Sequence, residues 1–109
     1  MASAICVTLF QFQSEFVKVS IDAYFENDNL IIDGYDTGKR VEEFWHREDY
    51  EYKLTIPPES VQWMMNHFHT QTQQELLHAL AANYNHNQCY SAIRELLDSN
   101  KQPCSGFSW

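Results

Sequence analysis

Val17-Lys18-Val19-Ser20-Ile21-Asp22-Ala23-Tyr24-Phe25-Glu26 decides the fold. Val17, Val19, Ile21, Ala23 and Phe25 point one way, and Lys18, Ser20, Asp22 and Tyr24 the other. That is period two, a strand over 15–26 with one buried face. Asn27-Asp28-Asn29 follows. These residues tolerate left-handed backbone and bond their own main chain, so they predict a turn. Leu30 to Asp33 then returns as the second arm of a hairpin.

Upstream, residues 4–12 alternate loosely, with Ile5, Val7 and Leu9 on one face, and predict a strand. Downstream, Gly34 to Gly38 breaks the alternation and is expected to be a loop. Lys39 to Trp45 suits a helical turn or an irregular strand. Residues 49–56 alternate again, with Tyr50, Tyr52, Leu54 and Ile56 opposite Glu51, Lys53 and Thr55.

The pattern changes at Pro57-Pro58. Proline cannot donate to a ladder but suits a first helical turn. A helix is expected over 58–68, with Val61, Met64, Met65 and Phe68 on one stripe. Thr72-x-x-Glu75 has capping-box spacing and starts a second helix that buries Leu76, Leu77, Leu80 and Tyr84. A third, over 87–99, buries Cys89, Ile93, Leu96 and Leu97, and Asn100 suits its C-terminal cap. Residues 104–109 fit a short edge strand or a packed coil.

Strands precede helices. The expected fold is therefore a single α+β domain over 1–109, an antiparallel sheet of four to five strands packed against three helices. With 109 residues, 44% hydrophobic and 15% aromatic, the chain has the means for a core without staples.

The net charge is -8, and residues 22–51 carry -7 of it. Such a chain repels phosphate backbones and anionic bilayers, so neither nucleic acid nor membrane is an expected partner. A basic protein partner is favoured, chiefly through faster encounter. Cys6, Cys89 and Cys104 are an odd count without paired spacing. They suit reduced, buried thiols in a cytoplasmic protein better than a disulfide framework. The N-terminus lacks the basic region and the long apolar run of a signal peptide.

Several residue groups carry side chains capable of chemistry. His67, His69, His78, and His86 with Cys89 carry zinc-binding side chains. Two residues apart on a helix, however, His67 and His69 diverge. Cys89 falls on its helix's apolar stripe, which predicts an inert thiol. Gly34 to Lys39 is one residue short of a phosphate loop, and Arg40 stands where Ser or Thr is required. The reading is thus of no catalytic residue, no metal and no cofactor. The alternative is a small metal-binding protein or enzyme using His67 and His69, or the Asp33 and Asp36 loop.

Aromatics interleaved with acids remain, and such anchors ringed by charge are typical of protein-binding surfaces. The expected partner-binding residues are Asp33, Tyr35, Asp36, Glu42, Glu43, Trp45, Asp49, Tyr50 and Glu51.

Three stretches carry a family resemblance. They are Leu30 to Gly38 with its Asp33-Gly34-Tyr35-Asp36, Val41-Glu42-Glu43-Phe44-Trp45, and Asp49-Tyr50-Glu51-Tyr52. Together with Ser91 to Leu97 and the final Phe107-Ser108-Trp109, they resemble a family of small uncharacterised bacterial proteins. Some proteins of this kind look like immunity proteins, which neutralise a toxic enzyme. The resemblance implies an acidic, cytoplasmic protein-binding domain that inhibits a basic toxin, as a monomer or homodimer. A self-associating structural protein, pairing through an edge strand near Trp109, is the other alternative.

Overall fold

The computed structural model describes residues 6–38 and 49–108. Five strands, β1 (Cys6–Gln13), β2 (Lys18–Glu26), β3 (Asn29–Thr37), β4 (Asp49–Ile56) and β5 (Ser105–Ser108), form one antiparallel sheet in the order β1-β2-β3-β4-β5. Three helices, α1 (Pro58–His67), α2 (Gln73–Asn83) and α3 (Cys89–Ser99), lie between β4 and β5 in sequence. The fold is α+β, with the sheet built mainly from the N-terminal half.

Turn chemistry sets the sheet's register. Asn27 and Asp28 both have positive φ, 51° and 66°, and Glu26 pairs with Asn29. This is the two-residue hairpin whose backbone matches strand twist. Between β1 and β2, the Ser14 hydroxyl accepts from the amides of Phe16 and Val17, both at 3.2 Å. The Ser14 amide donates to the Val17 carbonyl at 2.8 Å and closes the loop. A bulge between Thr8 and Phe10 inserts Leu9 as an extra residue, and Leu9 is buried.

The alternation read from sequence sorts the faces. Ile21, Ala23, Leu30, Ile32, Leu54 and Ile56 line the inner face, where the helices pack. Val61 and Met64 from α1, Leu76, Leu77 and Leu80 from α2, and Cys89, Ile93 and Leu97 from α3 complete the core. Each fully buried aliphatic side chain among them contributes roughly 1.5–3 kcal/mol. Leu96, expected inside, is only half-buried.

The expected loop after Asp33 is corrected. Gly34 to Thr37 is not a loop: β3 continues through Thr37, pairing Tyr35 with Ser20 and Glu51, and Asp36 with Val19 and Tyr50. Two flanking strands supply the hydrogen bonds that override the local turn preference of this Gly- and Asp-rich run. The break comes at Gly38, whose φ of 120° favours glycine. The expected turn or strand over 39–45 lies outside the described residues.

The helix signals hold. The Thr72 hydroxyl caps α2, accepting from the Glu75 amide at 3.1 Å. The Glu75 carboxylate accepts from the Gln71 amide at 2.9 Å, one residue earlier than in a standard capping box. Asn100 follows α3 as its C-terminal cap residue. Ser60 of α1, fully buried, donates from its hydroxyl to the Pro103 carbonyl at 2.7 Å, tying α1 to the segment that leads into β5. The tail is an edge strand, β5, beside β4.

Candidate functional site

The expected partner-binding residues divide between two faces, because neighbours in a strand point opposite ways. Asp33, Tyr35 and Glu51 stand on the outer face, away from the helices, whereas Asp36 and Tyr50 stand on the inner face. Asp49 opens β4 opposite Thr37. Glu42, Glu43 and Trp45 lie outside the described residues.

On the outer face, Thr8, Asp22, Asp33 and Lys53 form one cross-strand row. Asp22 and Asp33 are directly opposed, an unfavourable pairing by itself. Three neighbours offset it. The Thr8 hydroxyl donates to Asp22 at 3.0 Å, and the Tyr24 hydroxyl donates to Asp33 at 3.2 Å. Lys53 stands beside Asp33. Burial, with the Asp33 charge second, pushes the Tyr24 phenol up and keeps it a proton donor. One register step along, Tyr35 is 43% exposed beside Glu51. Ile31 is buried on this face between Tyr24 and Thr55.

On the inner face, Tyr52 lies over Gly34 and donates from its hydroxyl to Asp36 at 3.0 Å. Half-burial raises the Asp36 carboxyl above its ordinary range, and the Tyr52 hydrogen bond offsets part of that rise. Burial, followed by the Asp36 charge, pushes the Tyr52 phenol far up.

Beyond the helical cover, an open cleft of about 380 Å³ separates β4 and β5 from α3. Tyr50, Tyr52 and Tyr90 supply aromatic walls, with Tyr52 and Tyr90 edge-to-face at 5.0 Å. Arg94 closes one side and Gly106 is part of the lining. A side chain at Gly106 would collide with an Arg94 guanidinium nitrogen at 2.6 Å and crowd the Tyr90 hydroxyl at 3.0 Å. Sequence reasoning missed this cleft. Tyr90 and Arg94 are one helical turn apart, and that spacing was the available signal. Their facing strand, β5, lies far off in sequence.

The histidines are dispersed. His67 stacks on Trp63 with ring centroids 4.9 Å apart, and His69 is exposed with φ of 58°. Asp33 and Asp36 occupy opposite faces. Among the described residues, no group of three His, Cys, Asp or Glu side chains is placed to hold a metal ion. The three cysteines are free thiols, and only Cys89 is buried, where desolvation pushes it up to about 11. Cys6 is exposed and Cys104 half-buried, contrary to the expectation of three buried thiols. The reason for Cys6 is its place on the outer face of an edge strand.

No helix among the described residues is long and apolar enough to cross a membrane. Comparison with protein-family models, curated proteins and solved structures finds no match.

Proposed function

We propose that this chain is an acidic protein-binding domain that captures a basic protein, in the manner of an immunity-type inhibitor acting in the bacterial cytoplasm. The observation that carries this reading is the outer face of the sheet. It sets Asp22, Asp33 and Glu51 around an exposed tyrosine, Tyr35, on the side away from the helices. The acidic, aromatic segment holding Glu42, Glu43 and Trp45 follows β3 directly. Its residues would supply further charge and an aromatic anchor for the same partner.

The work divides between charge and ring. Carboxylates speed encounter with a cationic partner and set its orientation. Desolvated aromatics supply most of the affinity once the surfaces meet. Inhibition then needs only occlusion of the partner's own basic site.

The test is native mass spectrometry of the untagged protein from its host lysate, at low and high salt. The expected result is a complex with a basic protein whose yield falls as salt rises. Recovery of a partner whose association rate ignores ionic strength would refute the electrostatic basis. The self-assembly alternative gains little from the fold, since β5 is a four-residue edge strand and short edges discourage pairing between chains.

A further inference from the structure

We propose that the cleft between α3 and the β4–β5 edge binds an organic carboxylate bearing an aromatic ring. This is a second site, on the opposite face of the sheet from the protein-binding surface and independent of it.

The chemistry of the lining carries the inference. The chain bears a net charge of -8, yet Arg94 is the only charged side chain among the described lining residues. Among the described residues its ion-pair partner is Asp98, 3.9 Å from Nε, and both side chains are about half exposed or more. A pair that long and that wet holds the guanidinium weakly. The other end of the guanidinium, Nη1, lies against Gly106 and near the Tyr90 hydroxyl. Glycine at that position is what allows it to do so. A planar fork of N–H donors at the side of a cleft suits a carboxylate, which it binds in bidentate fashion.

The rest of the cleft is aromatic. The Tyr52 hydroxyl is committed to Asp36, which fixes its ring as a wall rather than a polar contact. Tyr90 meets that ring edge-on at 85°, so the two rings do not cover each other face to face. Tyr50, tilted 37° from Tyr52 with centroids 5.7 Å apart, widens the wall. Asn87 and Ser91 add neutral hydrogen-bonding groups. Burial raises the Tyr90 phenol, with Arg94 beside it acting in the opposite sense. The protonated phenol shares a side-chain hydrogen bond with Arg94 and would turn its own O–H to an anion held there. A volume of about 380 Å³ falls within the range of small-molecule sites. The cation rules out a cage for quaternary ammonium, the other ligand that clustered tyrosines favour.

The test is an NMR titration of the full chain with benzoate, benzamide and inorganic phosphate. Benzoate is expected to shift Tyr52, Tyr90 and Arg94 signals saturably. Benzamide, lacking the charge, and phosphate, lacking the ring, are each expected to bind about tenfold or more weaker. Arg94→Gln, at a half-exposed position that tolerates change, is expected to lose about tenfold in benzoate affinity, and Arg94→Lys to recover part of it. Asp98→Asn, which frees the guanidinium, is expected to strengthen binding. A peptide ending in phenylalanine distinguishes the source. If it binds this cleft more tightly than benzoate, the carboxylate belongs to a chain terminus; if more weakly, to a free metabolite. Shifts confined to other residues, equal binding of benzamide, or an unchanged affinity in Arg94→Gln would each overturn the assignment.

Discussion

The ring of Tyr52 occupies the space that a β-carbon on Gly34 would need. The two residues are register partners on adjacent strands, and the missing side chain of one seats the aromatic of the other. From that seat Tyr52 reaches Asp36 and packs edge-on against Tyr90. Gly34 therefore shapes both the buried end of the sheet and one wall of the cleft.

Gly34→Ala is expected to destabilise the fold by about 1–3 kcal/mol, the usual cost of overpacking a filled interior. The added methyl must displace a ring that is held at both ends. In a Tyr52→Ala background the same substitution is expected to cost clearly less, because the residues are coupled. Urea unfolding of the four proteins checks this. Additive effects would show that the ring yields freely.

Asp36 makes a signed prediction. Its carboxyl is raised in the folded state, so folding favours the protonated form. The associated stability is complete below the unfolded aspartate value of about 3.9 and is lost as pH rises through the raised folded value. Asp36→Asn keeps an oxygen acceptor for Tyr52 and removes the charge. Its stability relative to the parent is expected to improve between about pH 3 and pH 7. Denaturant midpoints at the two pH values measure it, and a difference that stays flat would contradict the account.

Ser60→Ala removes the hydroxyl that satisfies the Pro103 carbonyl. The expected cost is about 1–3 kcal/mol, since the acceptor is left without that partner. Because the bond joins α1 to the approach of β5, amide exchange should accelerate in β5 and the facing part of β4 before it does in β2 and β3. Uniform acceleration would mean that the bond has no local role.

The thiols should separate by accessibility and ionisation. Cys6 is exposed, whereas Cys89 is fully buried and raised to about 11. A disulfide-exchange reagent at mildly alkaline pH should modify Cys6 first, Cys104 more slowly and Cys89 only on unfolding. Mass mapping of the labelled peptides decides, and early labelling of Cys89 would mean that α3 opens readily.

Much of this architecture is legible in the chain. The alternation of 17–26, the Asn27-Asp28 turn, Pro58 and the Thr72 cap each declare their element locally. The continuation of β3 through Gly34-Tyr35-Asp36-Thr37 is not legible, because it depends on partners in β2 and β4 rather than on the run itself. The division of Tyr35 from Asp36 follows from that continuation, whereas that of Tyr50 from Glu51 is already legible in the alternation of 49–56. A segment read as a loop hides the fact that its neighbours face opposite ways. The cleft is less visible still, since Arg94 gains its setting from Gly106, across a tertiary contact that periodicity does not encode.

The sheet order has a kinetic consequence. From β1 to β4, every strand pairs with the one just before it along the chain, so this part can assemble by successive local closures. The β4–β5 pairing alone must wait for the entire helical half to be traversed, and such distant closures are slow. Folding should therefore end with the docking of the last strand, leaving the cleft as the final part of the molecule to take shape.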